Sequence, residues 1–275
     1  MRPFPDTPRL ENAPDVVESG HLWLLEEVDG APLRFQLRES GLLRFGDGER
    51  VYRDADDLPL SVQHAVRHVR EHLDREALRA AVEDPESVVF YGVATRYQGV
   101  EYDWERLPAF LGVEVWSGAE SAFRPPDATA AIFDRLGLDP VNTFERERRA
   151  RDFDPESYTI PASNWRDGPA AGVRVRNKRG GRAVLENAGT REDPDPLDYP
   201  ADELAEAYAT PERFETVAER LRERGMAVTV DALFERVVEE IAREEHARLD
   251  AGKTHLDEAA FRSAVARRAR EYLGG

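Results

Sequence analysis

The chain has 275 residues, a formal net charge of −17 and no cysteine. This length suffices for one large and one small domain with a sizeable core, and the missing cysteines exclude disulfides, zinc–thiolate sites and a cysteine nucleophile. No stretch is apolar enough to span a bilayer and MRPFPDTPRL holds no hydrophobic signal segment, so a cytoplasmic protein with no membrane partner is expected.

Lysine occurs only as Lys178 and Lys253, and every other cation is arginine. An acidic, lysine-poor chain fits solubility in strong salt. The acidity does not exclude a nucleic-acid partner. At high salt the counterion-release contribution is largely lost, so binding leans on stacking and specific hydrogen bonds.

Residues 1–20 are proline-rich and irregular. Residues 21–37, HLWLLEEVDGAPLRFQL, read as two short strands around a polar turn, with Leu22, Leu24, Leu33, Phe35 and Leu37 in alternation. GLLRFGDGERVY follows and predicts a hairpin on Gly46 and Gly48. Residues 58–73 predict a helix with Leu60, Val62, Val66, Val69 and Leu73 on one face, and 75–82 a second helix before Pro85. Residues 87–97 and 109–116 are β-branched and aromatic, as strands are. Residues 127–136 predict a helix capped by Asp127 and stopped at Gly137. The charged stretch 139–168 has no clear period. Residues 171–176 and 182–187 predict a hairpin turning at 177–181. DPDPLDYP, 193–200, is the expected boundary between domains 1–192 and 200–275. Beyond it the pattern is helical: Thr210-Pro211 opens one helix that Gly225 closes, and Thr229 opens another with Leu233, Val237, Ile241 and Leu249 on a stripe. Thr254 with Asp257 suggests a cap for a last helix carrying Leu256, Phe261, Val265 and Tyr272.

Five fragments, in order, carry a resemblance. Glu26-Glu27-Val28-Asp29-Gly30 is similar to the x-E-K-x-D-G motif of the covalent nucleotidyltransferases, with Glu27 where the lysine stands. Phe90-Tyr91-Gly92-Val93 falls at an aromatic-Gly-Glu motif, with Val93 for the acid. The stretch from Tyr102-Asp103-Trp104 through Phe110 to Glu114 resembles the next segment. Ala171-Gly172-Val173-Arg174-Val175-Arg176 resembles E-G-x-V-x-R, with Ala171 for the acid. Arg182 to Asn187 falls at a K-x-K motif, with Val184 and Glu186 for the lysines. The chain thus resembles the ATP-dependent RNA ligases, as a degenerate member with a composition like that of a halophilic archaeon. The resemblance implies an α+β fold: a nucleotidyltransferase (ATP-grasp-like ligase) domain with antiparallel sheets, followed by a C-terminal helical domain.

A ligase lysine attacks the α-phosphorus of ATP as a neutral amine, and basic residues with a divalent metal stabilise the phosphates. A glutamate at 27 reverses the local charge, and no one-residue shift brings in another lysine. No catalytic residue is therefore assigned, and ATP and Mg2+ are expected only if the family chemistry survives. Asp29, Gly30, Tyr91, Gly92, Phe110, Gly172 and Arg176 keep the frame of a nucleotide pocket, with an aromatic for base stacking. Arg174, Arg176, Lys178, Arg179 and Arg182 form a cationic cluster suited to RNA phosphates, and Arg146, Arg148, Arg149 and Arg151 a second. His64, His68 and His72 recur every fourth residue beside the apolar face of their helix, and no metal site is assigned to them. Three readings stay open: a nucleotide or RNA binder with a degenerate site, an active ligase with a displaced nucleophile, or a scaffold whose helices take a protein partner.

Overall fold

Val28 and Asp29 alone separate β1 (His21–Glu27) from β2 (Gly30–Leu37) in this computed structural model, which describes residues 1–252 and 256–274. So short a link suits a hairpin, yet the two strands do not pair. β1 belongs to a four-stranded antiparallel sheet with β7 (Thr143–Arg149) on one side and β8 (Gly172–Asn177), then β9 (Arg182–Glu186), on the other. β2 lies in a five-stranded sheet ordered β3 (Leu43–Gly46), β2, β4 (Val88–Thr95), β5 (Phe110–Ser117) and β6 (Ala122–Phe123).

Burial explains the split. Leu22 and Leu24 pack with Val173, Val175 and Ala183, while Trp23 and Leu25, on the opposite face of β1, pack with Val113 and Val141. Leu33, Phe35 and Leu37 of β2 join a third core with Phe45, Phe90 and Phe110. Val28 in the link is buried against Val100, Tyr102, Leu107 and Leu111. The run 21–37 thus feeds separate cores, and the chain crosses between sheets at its midpoint.

The helices α1 (Leu60–His72), α2 (Arg75–Ala81) and α3 (Pro126–Arg135) cover the outer face of the five-stranded sheet through Val62, Ala65, Val66, Val69, Leu78 and Phe133. The hairpin expected on Gly46 and Gly48 forms as an antiparallel bridge from Gly46 to Val51 across the turn 47–50, and a second hairpin, β2–β3, turns at Gly41 (φ +86°). Two expectations need correction. Pro125 precedes α3 with no side-chain cap, and Asp127 lies inside its first turn, where a carboxylate favours the helix dipole. The charged stretch 139–168 holds β7, whose sequence TFERERR suits the exposed edge of a sheet.

Two compact units result: Met1–Thr95 with Gly99–Glu192, and Arg96–Gln98 with Asp193–Gly275. The second is helical: α4 (Ala201–Tyr208), α5 (Pro211–Glu223), α6 (Val230–Glu244), α7 (His246–Asp250) and α8 (Glu258–Gly274). Thr210 and Thr229 cap α5 and α6 by accepting from the Arg213 and Ala232 amides. Leu233, Val237 and Ile241 line α6, which ends at Glu244, so Leu249 belongs to α7. α8 packs on α6 and α4 through Phe261 and Val265, and Tyr272 stacks on Phe214 at 5.6 Å. Residues 96–98 join this unit because the Tyr97 amide donates to the Arg243 carbonyl and Arg248 lies over the Tyr97 ring. The expected Thr254 cap and Lys253 fall outside the described residues, whereas Asp257 accepts from the Ala260 amide at 2.9 Å. Among the described residues no helix is long and apolar enough to cross a membrane.

Candidate functional site

Strand alternation gathers the functional side chains on one sheet face. The register aligns Trp23 with Arg176 and Arg182, Leu25 with Arg174 and Val184, and Glu27 with Gly172 and Glu186. With a period of two, all nine share a face. Across from it stand Val93, Val113 and Glu114 of the five-stranded sheet, and a cleft of about 260 Å3 lies between, lined by Glu27, Arg174, Gly30, Gly92, Val93 and Glu114 with Phe4, Pro5 and Thr7.

Glu27 projects into this cleft and is clamped by Arg174, whose Nε and Nη2 donate to the two carboxylate oxygens at 2.9 and 3.0 Å. This fork-on-fork pairing is the strong form of a charged hydrogen bond. Deeper in, Glu114 receives both Arg176 Nη1 and Arg182 Nε, the latter at 2.9 Å. Arg176 is only 3% exposed. Burial, and next the neighbouring Arg182, work against the Arg176 charge, so Glu114 is the group that makes its burial tolerable. Arg176 Nε, Arg182 Nη2 and Glu114 Oε2 are buried with no hydrogen-bond partner. Arg34 is also buried and donates to the Arg2 and Arg50 carbonyls at 3.1 and 3.2 Å. The cleft lining itself carries Glu27, Glu114 and Arg174, with Arg176 and Arg182 on Glu114 and Arg34 near Asp47.

The other expected positions divide. Gly30 and Gly92 line the cleft, and both are forced by close approach: a Cβ on Gly30 would meet Val93 Cγ1 at 2.3 Å, and one on Gly92 would meet Phe110 Cζ at 2.2 Å. Gly172 sits opposite Glu27 under the Leu185 carbonyl. Phe110 is a core residue against Phe35 and Phe133 and is not among the residues lining the cleft. Tyr91 is buried, with Phe4 edge-on at 5.1 Å. Asp29 turns to the other side: its carboxylate takes Arg191 at 2.6 Å and the Val100 amide, and its own amide donates to Tyr102. Burial, opposed by Arg191, pushes the Asp29 carboxyl up to about 6.

Of the substituted positions, Val93 lines the cleft, Ala171 sits in the Val28–Leu111 cluster, and Glu186 pairs with Arg9 on the surface. The hairpin cations split likewise: Arg174, Arg176 and Arg182 enter the cleft face, while Lys178 and Arg179 are exposed in the turn, Lys178 paired with Glu147 at 2.7 Å. Both cleft carboxylates already hold guanidiniums, and positions 93 and 171 are apolar, so these residues do not fit a divalent cation without displacing an arginine. Among the described residues no cluster of three His, Asp or Glu could hold a metal ion. His64 is buried with Nε2 on the Thr95 carbonyl, and His68 stacks on His72 at 4.2 Å.

Sequence reasoning missed two features. Glu26, buried behind the cleft, anchors the loop segment by accepting from Asn142, Ser163 and the Asn164 amide. Residues 2–8 lie along the cleft rather than leading into it, a placement without any periodic signal.

No family model matches the sequence, and no significant relative emerges among curated proteins. The structure matches a Naegleria gruberi RNA ligase mutant with ATP and Mn, at a TM-score of 0.51 and 12% identity, over 69% of this chain and 57% of that one. The fold is that of the RNA-ligase nucleotidyltransferases. Two forms of an archaeal ATP-dependent RNA ligase also match, both at 18% identity, with TM-scores of 0.48 and 0.49 over 98% and 91% of this chain. In each comparison the chain spans less than two thirds of the solved structure's own length: 57%, 63% and 65%.

Proposed function

We propose that this chain is a catalytically degenerate, RNA-ligase-like protein that binds RNA or a nucleotide non-covalently in the cleft between its two sheets. The observation that carries this reading is the Glu27–Arg174 clamp. A carboxylate occupies the position that the motif gives to a nucleophilic amine, and its fork partner is already in place. A carboxylate there could form only a labile acyl phosphate and repels a triphosphate. Arg174, Arg176 and Arg182 on one sheet face support phosphate binding, since a guanidinium matches phosphate oxygens in a fork. Lys178 as a displaced nucleophile is disfavoured because it sits exposed in the turn, paired with Glu147. Incubation with labelled ATP and a divalent metal, followed by a denaturing gel, is expected to show no adduct. An AMP adduct that survives denaturation refutes the reading, and mapping it to Lys178 would establish a displaced nucleophile.

A further inference from the structure

The segment 2–8 makes contacts of the kind a nucleotide would make. The Arg2 carbonyl oxygen accepts from two converging donors, Arg34 Nη1 at 3.1 Å and the Tyr91 hydroxyl at 3.2 Å. A guanidinium and a hydroxyl meeting on one oxygen is an arrangement that serves a phosphate equally well. The Arg2 guanidinium lies over the Trp116 ring, 3.8 Å from its centroid, and Trp116 stands edge-on to Phe123 at 5.0 Å. Phe4 covers Tyr91, and Phe4, Pro5 and Thr7 line the cleft itself. Past the cleft the segment is tied to the edge of the four-stranded sheet: the Val184 amide donates to the Pro8 carbonyl at 2.9 Å, and Arg9 bridges to Val184 in parallel. A guanidinium on an indole, and a carbonyl oxygen shared by a guanidinium and a hydroxyl, describe a bound ligand more closely than a packed core element.

We propose that residues 2–8 are an internal pseudo-ligand of the cleft. A single-stranded RNA enters by displacing them, its phosphate taking Arg34 and Tyr91 from the Arg2 carbonyl and a base taking the Trp116 face from the Arg2 guanidinium. This rests on the binding reading above and adds its regulation. The occupied segment lowers apparent affinity by the fraction of molecules in which it has swung away. Its hold is modest enough to reverse. Arg2 is exposed, and a cation–π contact at such a site is worth only about two- to fivefold in an equilibrium constant. The Phe4–Tyr91 pair adds a term of similar size. Base stacking on an aromatic is worth about five- to 150-fold per base, enough to compete.

The test uses the full chain and a fluorescein-labelled ten-residue oligouridylate. Anisotropy titration should give about tenfold tighter binding for Arg2→Ala/Phe4→Ala than for wild type, a factor that follows from removing the two contacts. Hydrogen exchange of the amides in 2–8 of the wild type should accelerate when the probe is added. Arg2→Ala alone removes only an exposed side chain and should tighten binding about threefold, which keeps the test open should the double variant fail to fold. Trp116→Ala in the Arg2→Ala background should reverse the gain. If the wild type binds the probe, and the variants bind no tighter while exchange in 2–8 is unchanged, the pseudo-ligand is overturned and the binding reading stands. Weaker binding by the variants also overturns it, since the segment is then part of the site. If neither wild type nor variant binds, the RNA reading falls and the competition falls with it.

Discussion

Replacing Glu27 by lysine separates a damaged active site from a rebuilt one. In the wild type the Glu27 and Arg174 side chains are 24% and 17% exposed and joined by a fork of two hydrogen bonds. Two unit charges about 4 Å apart interact by ~4 kcal/mol at an effective dielectric near 20. Glu27→Lys turns that attraction into repulsion, a swing of ~8 kcal/mol before relaxation. Partial exposure lets both side chains swing into water, so a loss of about 2–4 kcal/mol is the realistic size, against about 1–2 for the isosteric Glu27→Gln, which keeps an acceptor for Arg174. For a domain of this size about 2–4 °C of melting temperature accompanies each kcal/mol, so Glu27→Lys should melt roughly 5–15 °C lower. Arg174 would depress the pKa of the new amine, so a neutral nucleophile would be available. Adenylation should nevertheless not return. Val93 and Ala171 supply no carboxylate, Val184 and Glu186 supply no cation, and groups that act as a unit recover little when one is restored. Thermal melts of the three proteins and a denaturing gel with labelled ATP and a divalent metal decide the matter. An AMP adduct on Glu27→Lys, or a melting temperature equal to that of Glu27→Gln, would refute this reasoning.

Glu27→Gln should also tighten binding of the oligouridylate by several-fold and steepen its salt dependence, because Arg174 is released from its internal anion; an unchanged salt slope in anisotropy titrations would show that Arg174 does not face the ligand. Glu114→Gln should cost about 3–5 kcal/mol in urea unfolding, since it leaves the buried Arg176 and Arg182 charges against each other with no carboxylate between them, and a loss under 1 kcal/mol would mean that water reaches the pair. Asp29 supplies a pH test. Its folded pKa, about 6, lies above the ordinary 3.8, so the group favours folding fully below about pH 4 and that contribution is lost as pH rises through 6. The size is ~3 kcal/mol from a shift of about two units. Asp29→Asn should remove this fall from the stability profile between pH 4 and 7, and superimposable profiles for the two proteins would refute it.

What the sequence made legible was local. In β8 and β9 the apolar Val173, Val175 and Ala183 alternate with Arg174, Arg176 and Arg182, and this period alone tells which side chains share a face. What it hid depends on distant partners. The link at Val28 and Asp29 fits a hairpin as well as a crossing, and the choice is made by Val100, Tyr102, Leu107 and Leu111, all more than seventy residues away. β7 carries almost no apolar pattern because an edge strand is held by backbone pairing to β1. An arginine cluster reads as solvated surface or phosphate contact until Glu114 from the other sheet is seen between Arg176 and Arg182. The fragment order pointed to Asp29 and Phe110 as pocket residues, yet one is turned to Arg191 and the other is packed under Gly92.

On the reading proposed above, the cleft's own ion pairs favour binding over bond-making. A nucleotidyltransferase site needs charges held ready but unsatisfied, so that they respond to charge developing on the phosphate. In this cleft Glu27 pairs with Arg174, Glu114 pairs with Arg176 and Arg182, and the Arg2 carbonyl takes one donor of Arg34. Each pairing lowers the free energy of the empty site and weakens its pull on any incoming anion. The pairings nevertheless keep guanidiniums ordered in a partly dry cleft, where they are less screened by salt than exposed charges are. An anion that enters must exchange with an internal partner, and the exchange is cheapest where that partner is exposed and outside a strand. Of the internal partners that description fits the Arg2 segment, while Glu27 and Glu114 are fixed in strands. Under the proposed reading the cleft trades one internal ligand for an external one.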